Sequence, residues 1–142
     1  MSRLRRLRTL ADTNATPRAI RKADLPTKLD RAIANKVVRL ADKRQLDQWA
    51  FAVKERDRWR DRKTGVRVHR TRQLDPLRAE AHHIEPKEDP AVRYDVRNGI
   101  CLSFATHFAI ERHELAIEGT RWFRKGGARY IDGSAPVIFV RL

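Results

Sequence analysis

The stretch AEAHHIEPKEDPAVRYDVRNGICLSFATHFAIERHEL, residues 79–115, decides how this chain is read. Residues 80–84 are flanked by apolar side chains and read as a strand. Successive side chains on a strand face opposite sides, so His82 and His83 point different ways. One imidazole can then ligate a metal while its neighbour stays free to act as a base. Asn98 opens a second strand-like run over residues 99–102, and Ser103 is a good N-cap for the helix that carries His107. Strand, loop, strand and helix can thus gather three imidazoles and one amide around a single cation.

The same residues carry a family resemblance. His82, His83, Asn98 and His107 resemble the pattern of HNH endonucleases, in which a metal ligand precedes a histidine, an asparagine follows, and a histidine stands nine residues beyond it. Residues 93–117, RYDVRNGICLSFATHFAIERHELAI, are most similar to the branch reading Asn-Gly-x-x-Leu-Ser-x-x-x-His with an acid four residues later. The resemblance covers about residues 55–117 and does not reach residues 1–50. It implies an α+β protein built on a ββα-metal finger, with N-terminal basic helices before it and a small antiparallel β-sheet after it. It also implies a metal-dependent endonuclease of phage or restriction type, nicking or cutting both strands of DNA; RNA is not excluded. Many members carry two Cys-x-x-Cys knuckles for a structural zinc. Here the second knuckle's positions hold Ser103 and Thr106, residues 66–70 supply no thiol, and no such zinc can bind.

Phosphodiester hydrolysis needs an activated water, compensation of charge on the phosphorane, and stabilisation of the departing oxygen. A neutral imidazole accepts a proton near pH 7, which suits His83 to the first task. A divalent ion suits the other two. His82 and His107 would hold it, with Glu111, one turn beyond His107, as a further ligand, a partner orienting His107, or an ordinary surface acid. Imidazole donors leave the metal open among Mg, Mn, Ni and Zn. From the family, Asn98 would tie the loop to the base histidine through a backbone hydrogen bond. Arg93 and Arg97 are near enough in sequence to contact a phosphate, with surface ion pairing as the alternative. His69 and His113 read as structural.

Charge supports a polyanionic partner. The chain has 142 residues and a net charge of +14. Residues 1–72 hold 22 Lys and Arg against 8 Asp and Glu, whereas residues 73–142 hold 10 against 10. A basic half joined to a neutral catalytic module fits nucleic acid. The competing class is a non-catalytic nucleic-acid-binding protein whose histidines hold a structural metal. His83 discriminates, because a structural site has no use for an unligated imidazole beside a ligand.

Three segments are expected: a mobile basic arm (1–23), a helical basic segment (24–62), and the HNH module with its β tail (63–142). Asp24 and Pro26 signal a helix start. Leu29, Ile33, Val37 and Leu40 follow at helical spacing. A second helix over 45–60 puts Leu46, Trp49, Ala50 and Val53 on one face and Lys54, Arg56, Arg58 and Arg60 on the other, the arginines as candidate DNA contacts. Trp49, Phe51 and Trp59 are expected in the core. Beyond His113, short β runs at 115–117, 120–123, 128–131 and 137–140 alternate with Gly-containing turns. Cys101 is the lone cysteine, so no intramolecular disulfide forms. No apolar run is long enough to span a bilayer. The Arg-rich opening lacks a secretory apolar region, and a cytoplasmic protein is expected.

Overall fold

In a computed structural model of the protein, the described residues are 27–119, 122–125 and 128–142. The expected basic arm, the Asp24/Pro26 start signal and the Gly126-Gly127 turn lie outside them. The described residues fall into two units divided between Val37 and Val38. The described part is mixed α and β.

Helix α1 runs without a break over Lys28–Arg56. Two helical stretches were expected from the sequence. They are one, because residues 41–48 contain no Gly or Pro and are mostly good helix formers. Thr27 and Asp30 cap the start reciprocally: the Asp30 amide donates to the Thr27 hydroxyl at 3.1 Å, and the Thr27 amide donates to the Asp30 carboxylate at 3.1 Å. At the other end the Trp59 amide closes on the Lys54 carbonyl at 2.9 Å, with Arg58 and Trp59 at positive φ. Trp49 and Val53 are its buried residues. Phe51 is 54% exposed, which corrects its expected place in the core; it lies two residues from Trp49 and so on another face of the helix. Leu29, Ile33, Val37 and Leu40 are also exposed.

Strands β1 (Ala79–His83) and β2 (Gly99–Ser103) pair antiparallel, with His82 opposite Ile100 and His83 opposite Gly99. All five residues of β2 are buried, and Ile100, Cys101 and Leu102 are wholly inaccessible. A strand covered on both faces reads as a continuous apolar run, as this one does. Gly99 makes the packing possible: a Cβ there would stand 2.6 Å from both Trp49 and Val53. The connection from β1 to β2 ends in a 3-10 turn, Val96–Asn98. Helix α2 (Phe104–Glu111) follows β2 directly, and the Ser103 hydroxyl accepts from the Thr106 amide as the sequence predicts.

The tail forms four strands: β3 (Leu115–Gly119), β4 (Trp122–Lys125), β5 (Ala128–Ile131) and β6 (Val137–Arg141). One sheet was expected; two ladders are found, β3 with β6 and β4 with β5. The last strand returns to the first of the tail, so the β4–β5 hairpin is enclosed rather than added at an edge. Gly119 allows the two ladders to meet, since a Cβ there would stand 2.2 Å from Ile131. Between α1 and β1 there are two isolated bridges among the described residues, Arg60 with Arg67 and His69 with Arg78.

Candidate functional site

The alternation of β1 separates the two adjacent histidines. His82 faces His107 on α2, with ring centroids 5.0 Å apart. Glu80 has the same strand parity and joins them: its Oε2 is 4.0 Å from His107 Nδ1, and its Oε1 accepts from Arg78 Nε at 2.8 Å. His107 Nε2 lies 3.4 Å from Glu111 Oε1. Burial, and then the neighbouring His107 and His83 rings, push His82 down to about 4, so it is neutral with a free lone pair at pH 7. Among the described residues no three His, Cys, Asp or Glu side chains are arranged as a metal-binding group. Glu80 was not singled out from the sequence; its place two residues before His82 was the available signal.

His83 turns to the other face. Its cross-strand partner is Gly99, which has no side chain, and the Trp49 indole occupies that space. The two rings stack at 3.7 Å with planes 10° apart. Trp49 is itself held by its Nε1–H, which donates to the Asp95 carbonyl at 2.9 Å. His83 Nε2 is 2.9 Å from the Arg93 carbonyl. A carbonyl only accepts, so Nε2 carries the proton and Nδ1 keeps its lone pair. Burial holds His83 below the ordinary imidazole range, even though the Arg93 carbonyl acts in the opposite direction. Both histidines border a groove of about 450 Å³, with Ile84, Ile110, His113 and Ile117 among its walls.

Asn98 is fully buried and braces the residues immediately after His83. Its Oδ1 accepts from the Glu85 amide at 2.8 Å, and its Nδ2 donates to the carbonyls of Glu85 and Val92. Its own carbonyl accepts from the Ile84 amide at 3.1 Å. The amide therefore fixes the loop, while the ring of His83 is held by Arg93 and Trp49.

The arginines considered for DNA contact divide into two groups. Arg56 turns inward, donating to the carbonyls of Val96 at 2.7 Å and Gly99 at 2.6 Å and pairing with Asp57. Arg93 forms a two-pronged pair with Asp42, whose carboxyl it holds down at about 2 together with Tyr94. Arg97 pairs with Asp95 and lies over the Phe123 ring. Arg56 and Arg93 serve the fold, because close carboxylates and carbonyls take up their donors, whereas Arg97 is 47% exposed and pairs with a carboxylate two residues away. Arg58 and Arg60 remain exposed.

Ser103 and Thr106 both donate to one oxygen of Asp61, at 2.8 and 2.6 Å. Asp61 is 1% exposed, and its other oxygen accepts from the Lys63 amide at 2.9 Å. A buried carboxylate satisfied by hydroxyls and an amide ties α2 to the segment after α1 without a metal. Arg62 extends this bracing, pairing with Asp57 and donating to the carbonyls of Gly133 and Ala135.

No helix among the described residues is long and apolar enough to cross a membrane. Neither a protein-family model, nor a curated protein, nor a solved structure matches the chain.

Proposed function

We propose that the chain is a metal-dependent endonuclease of the HNH type, acting on the phosphodiester bonds of DNA through a ββα-metal finger formed by β1, β2 and α2. The observation that carries this reading is the division of labour on β1. His82 faces a second imidazole, whereas His83 presents an unprotonated Nδ1 with its Nε2–H tied to a carbonyl. His82 and His107 would hold the metal, with Glu80 and Glu111 close by. When bound, a divalent ion supplies Lewis-acid compensation of charge on the phosphorane and leaving oxygen.

The chain's own residues do the rest. His83 Nδ1 takes the proton of the attacking water, and the Arg93 carbonyl and Trp49 steady the imidazolium that results. Asn98 keeps the loop carrying that carbonyl in place through its bonds to Glu85 and Val92. The structural-metal alternative is less well supported, because a structural site has no use for the unligated imidazole of His83 beside His82.

The test is incubation of purified protein with supercoiled plasmid and Mg²⁺, Mn²⁺, Ni²⁺ or Zn²⁺, with a chelator control. Nicked or linear product that depends on a metal and is lost in chelator is expected. Intact plasmid with every metal would reject the reading.

A further inference from the structure

We propose that the turn linking residues 59–61 to 66–68 is a docking surface for the phosphate backbone of duplex DNA, with Arg60 and Arg67 as a paired clamp. These two residues sit directly opposite each other in an antiparallel bridge. The flanking hydrogen bonds run from the Val68 amide to the Trp59 carbonyl and from the Asp61 amide to the Val66 carbonyl. That pattern makes Arg60 and Arg67 a non-hydrogen-bonded pair, the type in which opposing side chains come closest, with Cα atoms roughly 4.5 Å apart.

The alternation fixes which way they point. Asp61 and Val68 are buried on one face of the turn, so Arg60 and Arg67 share the other and are exposed. Like charges directly opposite each other destabilise a β pair. Nothing described relieves this one: Arg62 is committed to Asp57 and Arg70 to Glu55, and no ion pair among the described residues includes Arg58, Arg60, Lys63, Arg67 or Arg72. Arg60 spends one donor on the Gly65 carbonyl, at 3.1 Å, which orients its guanidinium over the turn.

Two forked donors side by side, with an exposed Lys63 in the same turn, supply the positive charge and the bidentate donors that phosphate oxygens accept. An anion between them converts a repulsive pair into a bridged one. Arg56 and Arg93 cannot serve in this way without first giving up internal partners. The clamp rests on the nucleic-acid part of the function proposed above and not on the cleavage step.

Binding is therefore measured in chelator, where no turnover occurs, with a short labelled DNA duplex over a range of KCl concentrations. The Arg60→Gln/Arg67→Gln protein should bind at least about tenfold more weakly. Its plot of log K against log salt should be shallower by about 1.8, the loss of two phosphate contacts. An Arg112→Gln/Arg129→Gln control, which removes the same charge elsewhere, should change both quantities far less. Thermal melting without DNA should show the clamp variant no less stable than wild type, since a repulsive pair has gone. Wild-type affinity and slope in the clamp variant would overturn the proposal, as would equal weakening of the control. Clamp-dependent binding without plasmid cleavage would remove the nuclease reading and leave the clamp standing.

Discussion

The imidazole of His83 lies flat on the indole of Trp49, with centroids 3.7 Å apart and planes 10° from parallel. One face of the ring is set by that stack and one edge by the Arg93 carbonyl. A single nitrogen, Nδ1, is left to exchange protons. Trp49 is thus a positioning residue for the proposed base, reaching it across Gly99 from a helix more than thirty residues upstream.

His83 on β1 and His107 on α2 should fail differently. His83→Ala is expected to lower the cleavage rate by about 10²- to 10⁴-fold while leaving metal binding near wild type. His107→Ala should weaken metal binding itself. Calorimetric titration of the metal beside plasmid-cleavage rates separates the two; unimpaired cleavage by His83→Ala would mean that another group is the base.

Trp49→Phe keeps an aromatic face under His83 but loses the bond to the Asp95 carbonyl, at a cost of about 1 kcal/mol. Trp49→Ala removes the platform and opens a cavity, costing about 3–5 kcal/mol. Urea unfolding should rank wild type, Phe, Ala in falling order. Under conditions where both variants are folded, kcat should fall further for Ala than for Phe, with metal affinity little changed. Equal kcat for the two would show that the stack does not position the base.

The Asp61 cluster predicts that chelator leaves the protein folded, because hydroxyls and a backbone amide, not a metal, satisfy this buried carboxylate. Circular dichroism in EDTA should match that of the untreated protein. Asp61→Ala strips the acceptor from two buried hydroxyls and should cost roughly 1–3 kcal/mol for each group left unsatisfied. A chelator-induced loss of helix would point back to a structural metal.

In metal-free protein, stability should fall as pH drops from about 6.5 towards 4. His82 is held down to about 4 in the folded state and returns to its ordinary value on unfolding. The unfolded chain therefore binds the extra proton first, and stability decreases with falling pH through that window. His82→Asn should flatten this part of the curve, as read from urea midpoints across pH. An unchanged pH dependence in His82→Asn would assign the effect to other groups.

What the sequence by itself determined is local. Alternation along residues 79–83 set His82 and His83 on opposite faces, Ser103 capped α2, and the apolar run from Gly99 became a strand buried on both sides. Strand alternation and helix capping act within a few residues, so they can be read from neighbours. Tertiary structure decided the rest. Only folding brought Trp49 beneath His83, turned Arg56 onto the carbonyls of Val96 and Gly99, and joined Asp61 to Ser103 and Thr106. It also paired the first tail strand with the last instead of its neighbour. Each of these depends on partners about forty residues away or on a pairing register. An arginine that will meet a buried carbonyl has the same local sequence signature as one that will meet a phosphate, and only the acceptor that folding places beside it tells them apart.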